Sequence, residues 1–202
     1  MADKNIIVFV SEQNSKAKVE FGDKTYEVVI GKAGAIDETQ KIEGDLKTPI
    51  GGPYKIMKVY YRKDRLDKPQ TSVPLAALEE DDIWVDNPEN TRYNQPAKRS
   101  DSSEYSSHET LYRGDHLYDL LVDIGFNREN IKPGKGSAIF LHLSRDQEHP
   151  NSTPTAGCIG FKKENLLELI QNLDKNTQIY IKNFKYLPAD ELIRLDDTGG
   201  VV

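Results

Sequence analysis

The chain has 202 residues, enough to bury a real core, and its balance of 37% hydrophobic to 30% charged residues is that of a folded domain rather than a disordered one. A formal net charge of -6, with a pI near 5.3, leaves no basic footprint for a phosphate backbone or an anionic bilayer surface, which argues against nucleic-acid and membrane partners. The single cysteine rules out an internal disulfide and a cysteine-rich zinc site, and leaves a thiol free for chemistry.

The first apolar run, Ile6-Ile7-Val8-Phe9-Val10, is too short for a signal-peptide core and runs into polar Ser11-Glu12-Gln13. It reads as a strand, and with segments 17–21 and 25–30 it predicts an antiparallel β start. With Met1 as the native start this predicts a cytoplasmic location; a trimmed N-terminus would predict the periplasm or cell envelope. Residues 33–52 are poor in large apolar side chains and rich in Gly, Asp, Glu and Thr, which predicts a structured loop. Alternation over Tyr54 to Tyr61 predicts another strand. Residues 62–116 are irregular, and a structureless loop of that length is improbable in a compact domain, so a partly ordered insertion covering a cleft is expected. Tyr118–Gly125 and Ser137–Leu143 read as buried strands, the second carrying His142 near its end. Leu166, Leu169, Ile170 and Leu173 recur at helical spacing and give one apolar face between Lys162 and Asp174. Thr177–Lys182 returns as a strand. The expected organisation is a single domain over residues 1–184, containing the insertion 62–116, and a tail over 185–202.

The chemistry concentrates between Gly136 and Phe161. His142 sits on a strand, and Pro154-Thr155-Ala156-Gly157-Cys158-Ile159-Gly160 puts the cysteine just after a tight turn. A thiol at neutral pH is only slightly ionised, so a nucleophilic cysteine needs a base beside it, and His142 is of the right type. Gly157 opens backbone conformations closed to other residues and can aim consecutive amides, its own and that of Cys158, at an oxyanion. On general grounds, however, a lone cysteine is a small buried hydrophobe, and spacing alone does not overturn that.

This segment resembles the signature of the L,D-transpeptidase catalytic-domain (YkuD-like) family, in which a strand-borne histidine precedes Ser/Thr-His-Gly-Cys. His142 and Cys158 match it in type, order and spacing. Upstream, Gly44-Asp45-Leu46-Lys47-Thr48-Pro49-Ile50-Gly51 is similar to the Thr-Pro-x-Gly loop of the same family. The resemblance implies a mostly β fold with a few helices (α+β), a β-sandwich or barrel with one amphipathic helix after the catalytic cysteine. It also implies a thioacyl-enzyme on Cys158, a peptidoglycan stem tetrapeptide or muropeptide as partner, no cofactor, and a base oriented by the carbonyl just after it, that of Leu143. Two departures stand out: Ala156 replaces the usual histidine before Gly-Cys, and Gly160-Phe161 replaces the usual Asn or Arg after it. The block Ser107-His108-Glu109-Thr110-Leu111-Tyr112-Arg113 resembles one carried by a divergent branch.

Substrate contacts are expected from His108, Tyr112, Arg113 and Thr155, with Arg113 suited to gripping a carboxylate through two hydrogen bonds. Trp84, Tyr93, Tyr105 and Tyr112 fit the wall of a saccharide or peptide cleft, and core packing explains Trp84 at least as well. The spacings of His108, His116 and His149 match no closed zinc pattern, and no metal is expected. The expected reaction releases a terminal D-amino acid. The acyl group then goes to water (L,D-carboxypeptidase) or to a second stem (L,D-transpeptidase), and a catalytically silent binder of cell-wall fragments is the alternative outside the enzyme class.

Overall fold

The structure is a computed structural model and describes residues 5–99, 106–150 and 152–184. The expected tail 185–202 and Tyr105 lie outside the described residues. The chain is mostly β, consistent with a sandwich of the α+β kind. β1 (Ile6–Ser11), β2 (Asn14–Phe21) and β3 (Lys24–Val29) form the expected antiparallel start. β4 (Ala35–Asp37) and β5 (Thr48–Lys55) follow within what reads from sequence as loop. The strand expected over residues 54–61 is interrupted at Ile56-Met57, where β5 ends and β6 (Lys58–Tyr61) begins. The two pieces pair with different partners, β5 with the late strand β14 (Gln178–Asn183) and β6 with β11 (Leu120–Asp123).

The segment 62–116 is more regular than its composition suggests. It supplies β7 (Leu75–Ala77), which pairs with β6. It also holds β8 (Asp82–Val85), β9 (Gln95–Lys98) and β10 (His108–Thr110), which form a separate sheet in the order β10-β8-β9. The remaining elements are β12 (Phe140–Leu143), β13 (Ile159–Phe161) and α1 (Lys163–Gln171). The large sheet runs β4-β5-β14-β1-β2-β3-β13-β12-β11-β6-β7. Side chains from both ends of that order share one core: Val8, Val19 and Ile179 from one end meet Val59, Val122 and Leu141 from the other, with Leu166, Leu169 and Ile170 of α1. A sheet this long therefore folds over itself into two layers.

The helix has no cap from Lys162, its own N-terminal flanking residue. Gln147 supplies one from a loop, accepting the Lys163 N–H at 2.6 Å through Oε1.

β11 and β12 are buried on both faces, which explains their continuous apolar runs. Leu120, Val122, Leu141 and Leu143 face the main core. Leu121 and Phe140 turn to the opposite face, where Trp84, Leu78, Leu111 and Tyr118 form a second core that includes Cys158. The segment 62–116 thus covers the face of the sheet that carries the thiol.

Candidate active site

β12 and β13 run parallel, with His142 opposite Gly160 and Leu141 opposite Ile159. Two residues before Gly160, Cys158 falls on the same face as His142 and Phe140 by the alternation of strands. Both Cys158 and His142 line a cavity of about 300 Å³. His142 is 5% exposed and its Nδ1 lies 2.7 Å from the Leu143 carbonyl. A carbonyl only accepts, so Nδ1 carries the proton and Nε2 keeps the lone pair a base requires. Tyr118 stands edge-on to the ring at 5.3 Å between centroids, its hydroxyl held by Glu109 Oε1 at 3.0 Å. Burial pushes the imidazole down to about 4, against the opposing effect of the Leu143 hydrogen bond.

Cys158 is 8% exposed. Its Sγ donates to the Ala138 carbonyl at 3.1 Å and accepts from the Phe140 N–H at 3.4 Å. Burial pushes the thiol up to about 12, with the Phe140 N–H working the other way. Both members of the pair therefore rest uncharged.

The turn before Cys158 is fixed from two sides. Thr155 exchanges backbone hydrogen bonds with the segment after β3, from its N–H to the Ile30 carbonyl and from the Lys32 N–H to its own carbonyl, each at 2.9 Å. From the Thr-Pro-x-Gly loop, fully buried Thr48 accepts the Gly31 N–H at 3.0 Å and donates to the Gly157 carbonyl at 2.8 Å. That one hydroxyl gives a physical reason for the two sequence blocks to occur together. Gly157 has φ +145°, and a Cβ there would meet the Lys47 carbonyl at 3.0 Å, so glycine is required on both counts.

The expected roles of several residues change. The Gly157 N–H is donated to Thr155 Oγ1 at 3.1 Å, so it is engaged within the turn instead of facing an oxyanion. The Cys158 N–H meets no acceptor among the described residues. Thr155 lines the cavity, but its hydroxyl also donates to the Cys158 carbonyl at 2.7 Å and so braces the turn. Arg113 lines the cavity with its guanidinium already spent, on both oxygens of Asp115 (2.8 and 2.7 Å) and on Glu109 at 3.2 Å. Tyr112 does not line the cavity; Arg62 stacks over its ring at 3.5 Å. His108 lies outside the lining as well, with Nδ1 buried and without a hydrogen-bond partner among the described residues. Trp84 is a core residue, 0% exposed, edge-on to Phe140 at 4.9 Å, and Tyr93 is buried with its hydroxyl on Glu43. Ser144, two residues past His142, donates to the Asp146 carbonyl at 2.9 Å.

The sequence reading missed Asn94. At φ 57° and 1% exposed, its Oδ1 accepts from Trp84 Nε1 (2.9 Å) and from the Ala138 N–H (3.1 Å), while its Nδ2 donates to the Phe126 and Asn127 carbonyls (3.1 and 2.8 Å). Ala138, itself at φ 51°, is the residue whose carbonyl holds the thiol. Asn94 thus ties the small sheet to the seat of the Cys158 thiol. Its only sequence signal is that asparagine tolerates positive φ better than most residues.

Gly160, one of the two departures, has no room for a side chain, since a Cβ would come within 2.7 Å of Val29 Cγ1. Ala156 is exposed on the cavity wall. Among the described residues no group of three potential ligands could hold a metal ion, and no helix is long and apolar enough to cross a membrane. A model of the family described as YkuD, the L,D-transpeptidase catalytic domain, matches residues 3–181. No curated protein and no solved structure matches the chain.

Proposed function

The chain belongs to the L,D-transpeptidase catalytic-domain family, whose cysteine enzymes act on peptidoglycan, and on that premise we propose that Cys158 is acylated by a stem tetrapeptide and passes the acyl group to water, as an L,D-carboxypeptidase does. The catalytic unit is taken as residues 1–184, with 62–116 as an insertion in it. The observation that carries the reading is the His142 tautomer: Nδ1 is committed to Leu143, leaving Nε2 as a base in the cavity that Cys158 also lines.

In the proposed cycle, substrate entry draws the thiol away from the Ala138 carbonyl, and Nε2 of His142 takes its proton. Sγ attacks the carbonyl carbon at the L-centre of the diamino acid, and the free Cys158 N–H receives the oxyanion. The C–N bond to the terminal D-residue breaks, and the proton held on His142 goes to the leaving amine. Water then attacks the thioester, His142 accepts its proton, and the acid is released as the thiol re-forms. Burial supports a neutral start, because proton transfer then happens inside the closed site rather than in solvent.

A cavity of about 300 Å³ is at the low end for small-molecule sites and suits one stem terminus and a water better than two stems. Cross-linking onto a second stem is the competing outcome for the same acyl-enzyme. The test is mass spectrometry of the protein and its products after incubation with a tetrapeptide stem, with and without an acceptor stem. Tripeptide alone, through an adduct lost in Cys158→Ala, is expected. A cross-linked dimer would refute hydrolysis, and the absence of any adduct would leave only a binding role.

A further inference from the structure

The cations lining the cavity are unequally committed. Lys41, 2% exposed, is bound to Asp45 Oδ1 at 2.6 Å and to the Ile42 carbonyl at 3.0 Å. Arg113 is shared between Asp115 and Glu109. Arg145 is exposed, lines the same cavity, and has neither hydrogen bond nor ion pair among the described residues.

The acids closest to Arg145 in the chain are already consumed. Asp146 Oδ1 accepts the N–H groups of Glu148 and His149 at 3.0 and 2.9 Å, and its Oδ2 meets His149 and Ser152. Asp115 attracts Arg145 only through space, because both its oxygens face Arg113. The backbone beneath Arg145 is nevertheless held firmly. Gln147 Nε2 donates to the Ser144 carbonyl at 2.7 Å and reaches the Phe161 carbonyl at 3.3 Å, while its Oε1 caps α1. An uncommitted guanidinium on an anchored segment, just past the strand that carries the base, is placed to bind an anion.

We propose that Arg145 is the carboxylate anchor of the cleft, receiving the α-carboxylate of the terminal D-residue that leaves when Cys158 is acylated. The inference rests on the reaction proposed above. That carboxylate lies one residue beyond the attacked carbonyl, about 3.5 Å of extended chain, within the sweep of a long arginine side chain. The other substrate-facing charges favour this end of the cavity: Glu43, Asp86 and Glu109 also line it, and they repel a carboxylate from their own positions. Arg145 thereby takes the role that the sequence pattern suggests for Arg113.

The experiment compares two tetrapeptide stems, one ending in a free carboxylate and one in a carboxamide, with the native chain, Arg145→Gln and Arg145→Lys. A charge-assisted contact of this kind is expected to be worth roughly tenfold to a hundredfold in kcat/KM. The native chain should prefer the acid by that factor. Arg145→Gln should lose the preference by slowing only on the acid, and Arg145→Lys should restore part of it. If Arg145→Gln matches the native chain on the acid, or slows equally on both stems, the assignment is overturned while the reaction stands. If the native chain forms no adduct with the acid stem, the proposed reaction fails and the assignment falls with it.

Discussion

His142 carries a pH signature that other residues of the site do not share. Its folded value of about 4 lies below the ordinary histidine value of 6.5, because burial disfavours the imidazolium. Between those two values the unfolded chain holds the extra proton, so stability falls as pH drops through that window. From this residue alone the loss between pH 7 and about pH 4.5 should be roughly 2 to 3 kcal/mol. Denaturant titrations at both pH values should show it in the native chain and a clearly shallower dependence in His142→Gln; equal slopes would contradict the burial account. Cys158 and His142 were singled out by the family resemblance, because on general grounds a lone cysteine is a small buried hydrophobe and spacing alone does not overturn that. The pairing of Arg113 was not legible because its partners depend on how the chain closes: Asp115 and Glu109 lie close in sequence, but nothing in their spacing says which charge is spent.

At the level of elements, Thr48 links β5 to the turn that presents Cys158. Replacing it by valine keeps the shape and removes the hydroxyl, leaving the Gly31 N–H and the Gly157 carbonyl buried without partners. The expected cost is about 2 to 6 kcal/mol of stability, at 1 to 3 for each orphaned group. Acylation should slow by tenfold or more, since small displacements of reacting groups are costly. Thr48→Ser should keep both properties, and a Thr48→Val variant as stable and as fast as the native chain would contradict the bracing role. β1, β2, β3, β6, β11, β12 and β14 were readable from apolar runs and alternation, and α1 from its apolar spacing. The break at Ile56-Met57 was not, because Tyr54 to Tyr61 read as one run while β5 and β6 pair with opposite ends of the large sheet. Periodicity records which face is buried and carries nothing about a change of neighbour.

Across the whole molecule, the small sheet and the large one meet at the second core, with Trp84 against Phe140 at its centre. Trp84→Ala should cost about 3 to 5 kcal/mol in denaturant titration, the usual range for losing a buried aromatic. It also frees Asn94 Oδ1 from one of its two donors, so acyl-enzyme formation should fall under conditions where the variant is still folded. Unchanged acylation in a folded Trp84→Ala chain would mean that the small sheet only shields the site. The segment 62–116 was the least legible region because β8, β9 and β10 are three or four residues long, pair with one another, and reach the second core through Trp84 of β8. Short strands with mixed polarity look like loop until their partner surface is known.

The resting hydrogen bond from Cys158 to Ala138 has a further consequence, in redox chemistry. Peroxide reacts with thiolate rather than thiol, and a sulfenic acid is normally rescued by a second cysteine that closes a disulfide. This chain has no second cysteine, so oxidation past the sulfenic stage would destroy the thiol proposed as the nucleophile. Keeping the proton on sulfur, bonded to a backbone carbonyl under a covering sheet, protects the sulfur from oxidants until a substrate displaces it.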